Sequence, residues 1–120
     1  MELSEEQIET LRLKASDDDA EAQYELGWRH AIGMGLPLDD AEALRWLRLA
    51  ADQAHQLAQN NLGARYATGD GVERDLAEAY VWFSRAADQG DRKAGKNRDS
   101  IAKEMSEEQL VAAKAKLTEP

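Results

Sequence analysis

The sequence predicts an all-α repeat array, and three observations carry the prediction. The chain returns on itself at a displacement of 36 residues: Leu26-Gly27 recurs as Leu62-Gly63, Gly33-x-Gly35 as Gly69-x-Gly71, and Trp46 as Trp82. Ala22-Gln23 likewise recurs as Ala58-Gln59, Asp39 as Asp75, and Ala50-Ala51-Asp52-Gln53 as Ala86-Ala87-Asp88-Gln89. Roughly half of the positions in the units 19–54 and 55–90 are identical, the mark of a repeat array. Second, one Phe, two Pro and an alanine-rich, charge-rich remainder point to helices packed by small residues. Third, apolar residues fall at helical spacing within each unit.

The elements follow in order. Ser4-Glu5-Glu6-Gln7 is a capping box that opens an N-terminal helix through about Ala15. Asp19 N-caps the first helix of unit one, where Ala22, Leu26, His30 and Gly33 share a stripe. Gly33 and Gly35, like Gly69 and Gly71, sit where that helix should end, at a C-cap and tight turn needing positive φ, and Pro37 stops its continuation. The second helix begins near Asp39 or Asp75. Its packed face is read as Ala43, Trp46, Leu47, Ala50 and Ala54, answered by Ala79, Trp82, Phe83, Ala86 and Gly90. Gly27 and Gly63 interrupt the first helices at a cost of about 1 kcal/mol against Ala, so their recurrence predicts close approach of the paired helix.

Outside the repeats, 1–18 and 91–120 read as caps, which repeat arrays need to cover apolar end faces. Within 91–105 a degraded first helix keeps Ala94 but has Arg98 for the leucine and Asp99 for the glycine. Ser106-Glu107-Glu108-Gln109 is a second capping box, opening a last helix with Leu110, Val111, Ala113 and Leu117.

A chain of 120 residues makes one ordinary domain, and 42% hydrophobic residues suffice to fold it. The net charge of −9 disfavours nucleic acid and anionic membrane surfaces, which are bound by clustered Lys and Arg. The absence of cysteine removes disulfides, thiol nucleophiles and thiolate metal sites. No secretory signal and no run of about 20 apolar residues is present, so the expected location is the cytoplasm.

The string Ala22-Gln23-Tyr24-Glu25-Leu26-Gly27 with Gly33-x-Gly35, Asp39, Ala43, Trp46 and Ala50-Ala51 resembles the Sel-like repeat, a relative of the tetratricopeptide repeat. The second unit resembles it more closely, in Leu62-Gly63-Ala64-Arg65-Tyr66, Gly69-Asp70-Gly71-Val72, Asp75 and Trp82, and Lys96-Asn97-Arg98-Asp99 is similar to the closing segment of such arrays. His30 stands where the pattern has tyrosine. The resemblance implies a short right-handed α-solenoid, capped at its ends, that acts as a non-catalytic adaptor for other proteins, in the bacterial style.

It also implies that the first helices line a concave groove. The side chains they would offer are Tyr24, Trp28, Ala31 and Ile32 in unit one, Asn60, Ala64, Ala67 and Thr68 in unit two, and Lys93, Lys96, Ser100, Lys103 and Glu104 in the degraded third. Aromatic at one end, small in the middle and cationic at the other, such a groove suits a peptide with bulky apolar anchors and an acidic group or terminal carboxylate. Trp28 is diagnostic, because its counterpart Ala64 is small. The competing reading packs Tyr24 and Trp28 beneath the N-terminal helix and leaves the lysines to solvent.

Other chemistry is sparse. Ser100-Ile101-Ala102-Lys103 has the Ser-x-x-Lys spacing of penicillin-recognising acyl enzymes, and cysteine-rich relatives of such arrays are linked to β-lactam binding, but neither Ser-Asp-Asn nor Lys-Thr-Gly accompanies it. A β-lactam-binding or hydrolase role for Ser100 and Lys103 is the second reading, and a structural, self-associating role the third. His30 and His55 form no His-x-x-x-His pair, and Asp17-Asp18-Asp19 lacks the glycine of a calcium loop, so no metal or cofactor is expected. An acidic segment, 1–25, and a basic one, 92–103, could meet head to tail. Exposed ion pairs are worth only about 0–1 kcal/mol each, and the expectation is a monomer.

Overall fold

In the computed structural model, residues 2–119 are described, and they form seven α-helices with no strand among them. The helices are α1 (Glu5–Ser16), α2 (Ala20–Ile32), α3 (Asp40–Asp52), α4 (Gln56–Thr68), α5 (Leu76–Asp88), α6 (Arg92–Ala102) and α7 (Glu107–Leu117). They fall into two compact units, divided between Ala58 and Gln59 in the first turn of α4.

In the first unit each helix start is set by local chemistry. Ser4 accepts from the Gln7 N–H at 3.1 Å while the Ser4 N–H donates to the Gln7 side chain at 2.9 Å, so the capping box closes as its sequence requires. Asp19 caps α2 through the Ala22 N–H at 3.0 Å, and Asp39 caps α3 through the Glu42 N–H at 3.1 Å. Gly33 ends α2 in the left-handed region at φ 69°, with Gly35 following at φ 79°. The glycine turn is fastened from the helix it leaves: the buried Arg29 guanidinium donates from Nη1 to the Met34 carbonyl at 3.2 Å and from Nε to Glu25 at 2.8 Å. His30, also buried, donates from Nδ1 to the Pro37 carbonyl at 2.9 Å, a packing role with a fixed tautomer.

The core of this unit gathers Leu11, Ala15, Ala22, Leu26, Leu36 and Trp46, with Leu3 and Ile8 at its margin. At Gly27 α2 and α3 approach closely. A Cβ built there would stand 2.7 Å from Leu47 Cγ and 3.3 Å from the Ala43 carbonyl oxygen, so only glycine fits the pairing as it stands. Gln23, 1% exposed, is satisfied by donating to the Ala15 carbonyl at 3.1 Å and accepting from Gln53 at 3.0 Å.

The second unit repeats these devices. Asp75 caps α5 at 3.1 Å, Gly69 and Gly71 take φ of 75° and 74°, and buried Arg65 reaches Asn61 at 2.7 Å and the Asp70 carbonyl at 3.4 Å. Gln89 donates to buried Gln59 at 2.7 Å, as Gln53 does to Gln23. A Cβ on Gly63 would meet the Phe83 ring at 2.7 Å. α6 is capped by Asp91, whose other carboxylate oxygen takes the Asn60 amide, and α7 by a second closed capping box at Ser106. Asp99, the counterpart of Gly27 and Gly63, is exposed, with no helix crossing tightly over it. α7 instead packs on α5, burying Ala113 and joining Lys116 Nζ to Glu78 at 2.7 Å.

Two expectations change. Ala54 and Gly90 do not continue the packed face of α3 and α5: both are exposed, in the turn after the helix, at φ 64° and 101°. Spacing alone carried the stripe two residues past the helix ends, because the helices stop at Asp52 and Asp88. The N-terminal helix is also in repeat phase. Asp18, 36 residues before Ala54, takes φ 63°, and the Asp19 N–H bonds the Lys14 carbonyl as His55 bonds Ala50 and Asp91 bonds Ala86. α1 therefore stands in register with the second helices α3 and α5. Where those place Ala43, Trp46 and Ala50 against a partner, α1 places exposed Gln7, Thr10 and Lys14.

Candidate functional site

On α2 the residues buried toward the core are Ala22, Gln23, Leu26, Gly27, Arg29 and His30. Helical spacing then turns Glu21, Tyr24, Trp28 and Ile32 to the other side. Tyr24 and Trp28 are half-buried and Ile32 is 61% exposed.

Each aromatic on it is held from one side. The His55 imidazole stacks on the Tyr24 ring with centroids 4.6 Å apart and planes 22° from parallel. The orientation of His55 is itself determined: Nδ1 accepts the Ala58 N–H at 3.2 Å, capping α4, so Nε2 carries the hydrogen and donates to Glu21 at 2.9 Å. Burial, with the Glu21 carboxylate adding to it, pushes the Tyr24 hydroxyl above the ordinary tyrosine value. Trp28 carries the Arg29 guanidinium over its ring at 4.6 Å. Since Arg29 is tied to Glu25 and to the glycine turn, the indole lies against a fixed support. Past Ile32 the turn adds Met34 and Leu38, 41% and 69% exposed, where the second repeat has Asp70 and Arg74.

The remaining candidates stand apart from any such cluster. Ala64 and Thr68 are exposed on α4, with Thr68 Oγ1 donating to the Ala64 carbonyl at 2.9 Å, whereas Asn60 serves the Asp91 cap. Lys93, Lys96 and Ser100 are exposed on α6, and Lys103 is exposed at its C-cap. Ser100 and Lys103 lie on open surface, without the enclosure in which an acyl-enzyme nucleophile is activated. Trp46 and Trp82 are core residues, 9% and 7% exposed, as their recurrence implied. Among the described residues no group of three or more His, Cys, Asp or Glu could hold a metal ion, and no helix is long and apolar enough to cross a membrane.

Sequence reasoning passed over the polar residues that hold this surface in place: Arg29 and Arg65, and the pairs Gln23–Gln53 and Gln59–Gln89. Their signal was present. Each is identical at the 36-residue displacement, and a polar residue repeated in register with the core is a candidate for buried hydrogen bonding.

Comparison with known proteins agrees with this architecture. The family model of the Sel1 repeat matches residues 20–55 and again 56–91. Among solved structures, the chain is similar to c5321, a protective antigen present in uropathogenic Escherichia coli strains displaying an SLR fold, at 33% identity and a TM-score of 0.85. That match covers 92% of this chain and 24% of c5321. A Sel1 repeat protein from Oxalobacter formigenes is similar at 36% identity and a TM-score of 0.61, over 64% of this chain and 31% of that one. The chain thus spans less than a third of either relative's length. No curated protein matches.

Proposed function

We propose, from the premise that this chain belongs to the Sel1 repeat family, that it is a protein-interaction scaffold binding a partner peptide through the exposed stripes of its first helices. Its all-α helical-repeat fold, of the solenoid class, is one whose members generally assemble other proteins and are typically not enzymes.

The observation that carries the reading is Trp28. A half-exposed indole, supported from below by Arg29 and flanked by Tyr24 and Ile32, offers a large apolar contact already fixed in place, and aromatic anchors of this kind often supply much of an interface's affinity. The stripe of α2 would supply the apolar anchors. Taken by itself, the second unit offers the exposed cations Lys93, Lys96 and Lys103 to an acidic side chain or terminal carboxylate, and small exposed positions at Ala64 and Thr68.

Affinity capture from the native cell with wild type and Trp28→Ala, each checked for folding by circular dichroism, tests the proposal. The variant should stay folded and lose its partner. If it unfolds, or if it stays folded and keeps the partner, the indole is packing alone. Lys96→Glu with Lys103→Glu should weaken the same partner in a salt-dependent manner.

A further inference from the structure

A second surface, independent of the α2 stripe, lies on α3. Ala41, Leu44, Arg45, Arg48 and Leu49 line an open depression of about 540 Å³ on the side of α3 turned away from Leu47 and Gly27. Leu49 is 40% exposed and Leu44 half-buried, so the floor is aliphatic and its edge carries two guanidinium groups on a chain of net charge −9.

The second unit shows what such a flank accepts. The equivalents on α5, displaced by 36 residues, are Ala77, Tyr80, Val81, Ser84 and Arg85, and Tyr80, Val81 and Ser84 are buried, at 9%, 3% and 3% exposure, where α6 and α7 pack against α5. Lys116 of α7 bonds Glu78, one turn before Val81, which fixes α7 along the line Glu78–Val81–Arg85. Leu110, Ala113 and Leu117, at helical i, i+3 and i+7 spacing, give α7 the narrow apolar edge that seats it, with Ala113 fully buried. On α3 the corresponding line is Glu42–Arg45–Leu49, and Arg45 and Arg48 replace Val81 and Ser84.

Arg45 is already oriented, with Nη2 on Glu42 at 3.0 Å and Cζ 4.3 Å from the Trp46 ring centroid. A guanidinium has five N–H donors, so this engagement leaves capacity for a further carboxylate, and the side chain has little freedom left to lose on taking it.

We propose that this flank of α3 docks an acidic amphipathic helix of a partner protein, seated as α7 is on α5. Small or aliphatic residues at the spacing of Leu110, Ala113 and Leu117 would cover Leu44 and Leu49, and carboxylates on the helix edge would face Arg45 and Arg48.

Two synthetic peptides probe it with the full chain: the sequence of residues 106–119, and the same sequence with Lys114→Glu and Lys116→Glu. Backbone and indole NMR shifts report where each binds. The acidic peptide should perturb α3 and the Trp46 indole N–H and bind at least about tenfold more tightly than the lysine form. Arg48→Glu should reverse that order and Leu49→Asp should abolish binding, each variant checked for folding by circular dichroism, while Trp28→Ala should leave it unchanged. Shifts confined to α2 or α5, equal binding of the two peptides, indifference to both variants, or no shift up to about 1 mM peptide would each overturn the proposal. So would concentration-dependent self-association through α3, which would make the occupant a second copy.

Discussion

In the first repeat α2 and α3 meet at Gly27, where the nearest atoms to the missing side chain belong to Leu47 and the Ala43 carbonyl, whereas at the same position in the second, Gly63, the three nearest all belong to the ring of Phe83. The backbone plan is shared, in caps, glycine turn and buried arginine. What differs is the nearest wall: a leucine side chain at Gly27 and an aromatic ring at Gly63. A repeat can therefore preserve its plan while exchanging the residues that realise it, and the two copies serve as controls for each other.

The sharpest way to break this comparison is to fill both spaces. Gly27→Ala and Gly63→Ala should each destabilise by about 1–3 kcal/mol through overpacking, even after the better helix propensity of alanine, with Gly27→Ala the costlier. Urea unfolding of the two variants decides. A larger cost at Gly63 would mean that the Phe83 ring is the more rigid wall. Adding Phe83→Leu to Gly63→Ala should couple by more than about 0.5 kcal/mol in a double-mutant cycle.

Next in size are the turns after the second helices. Gly90 has φ 101° and open space around it, and Ala54 holds φ 64° without being glycine. Gly90→Ala should cost about 1–2 kcal/mol, while Ala54→Gly should gain about 0.5–1 kcal/mol, the relieved strain exceeding the added freedom of the unfolded chain. Melting temperatures moving in opposite directions would sustain the assignment, and a destabilising Ala54→Gly would refute it.

Smaller still is Ser84, which stands where the first repeat has exposed Arg48 and whose buried Oγ has no hydrogen-bond partner among the described residues. Ser84→Ala should be neutral or stabilising by up to about 1 kcal/mol, and a clear loss of stability would reveal a bond to that hydroxyl.

The smallest effect is alkaline. The hydrogen bond and charge of Glu78 raise Lys116 above the ordinary lysine value of 10.5, and burial, with Glu21, raises Tyr24 above 10.0. In both, the proton is held more tightly in the folded chain, so the stabilisation is complete below the ordinary values and fades as pH rises through the folded ones. Lys116→Met should flatten the second unit's share of that loss and Tyr24→Phe the first's, each by less than about 1 kcal/mol at these half-exposed positions. Thermal melts between pH 9 and pH 11.5, a range bracketing about one unit around both groups, read it. Unchanged slopes would dismiss the two interactions.

Much of the fold was legible because its signals are local. Ser4, Asp19, Asp39, Asp75 and Ser106 announce helix starts through chemistry that acts within three residues, and Gly27 and Gly63 announce close packing because nothing else explains glycine there twice. Ala54 was misplaced because a left-handed alanine leaves no compositional mark. The phase of α1 was hidden because Gln7, Thr10 and Lys14 erased the alanine and tryptophan pattern while the backbone kept it. The α2 stripe could be read from periodicity, but the stacking of His55 on Tyr24 depends on a residue 31 positions away, brought there by an entire intervening helix.

The left-handed turn shared by Asp18, Ala54 and Gly90 bears on how such a chain changes length. Ends produced by cutting at any one of these turns resemble those produced at the others, in the positive φ and in the hydrogen bond that follows. Slippage or duplication of coding DNA in whole steps of 36 codons therefore rejoins compatible ends, whereas a gain of any other length puts a helix start where a turn belongs. Relatives about two and about four times as long as this chain can be reached by reusing one joint.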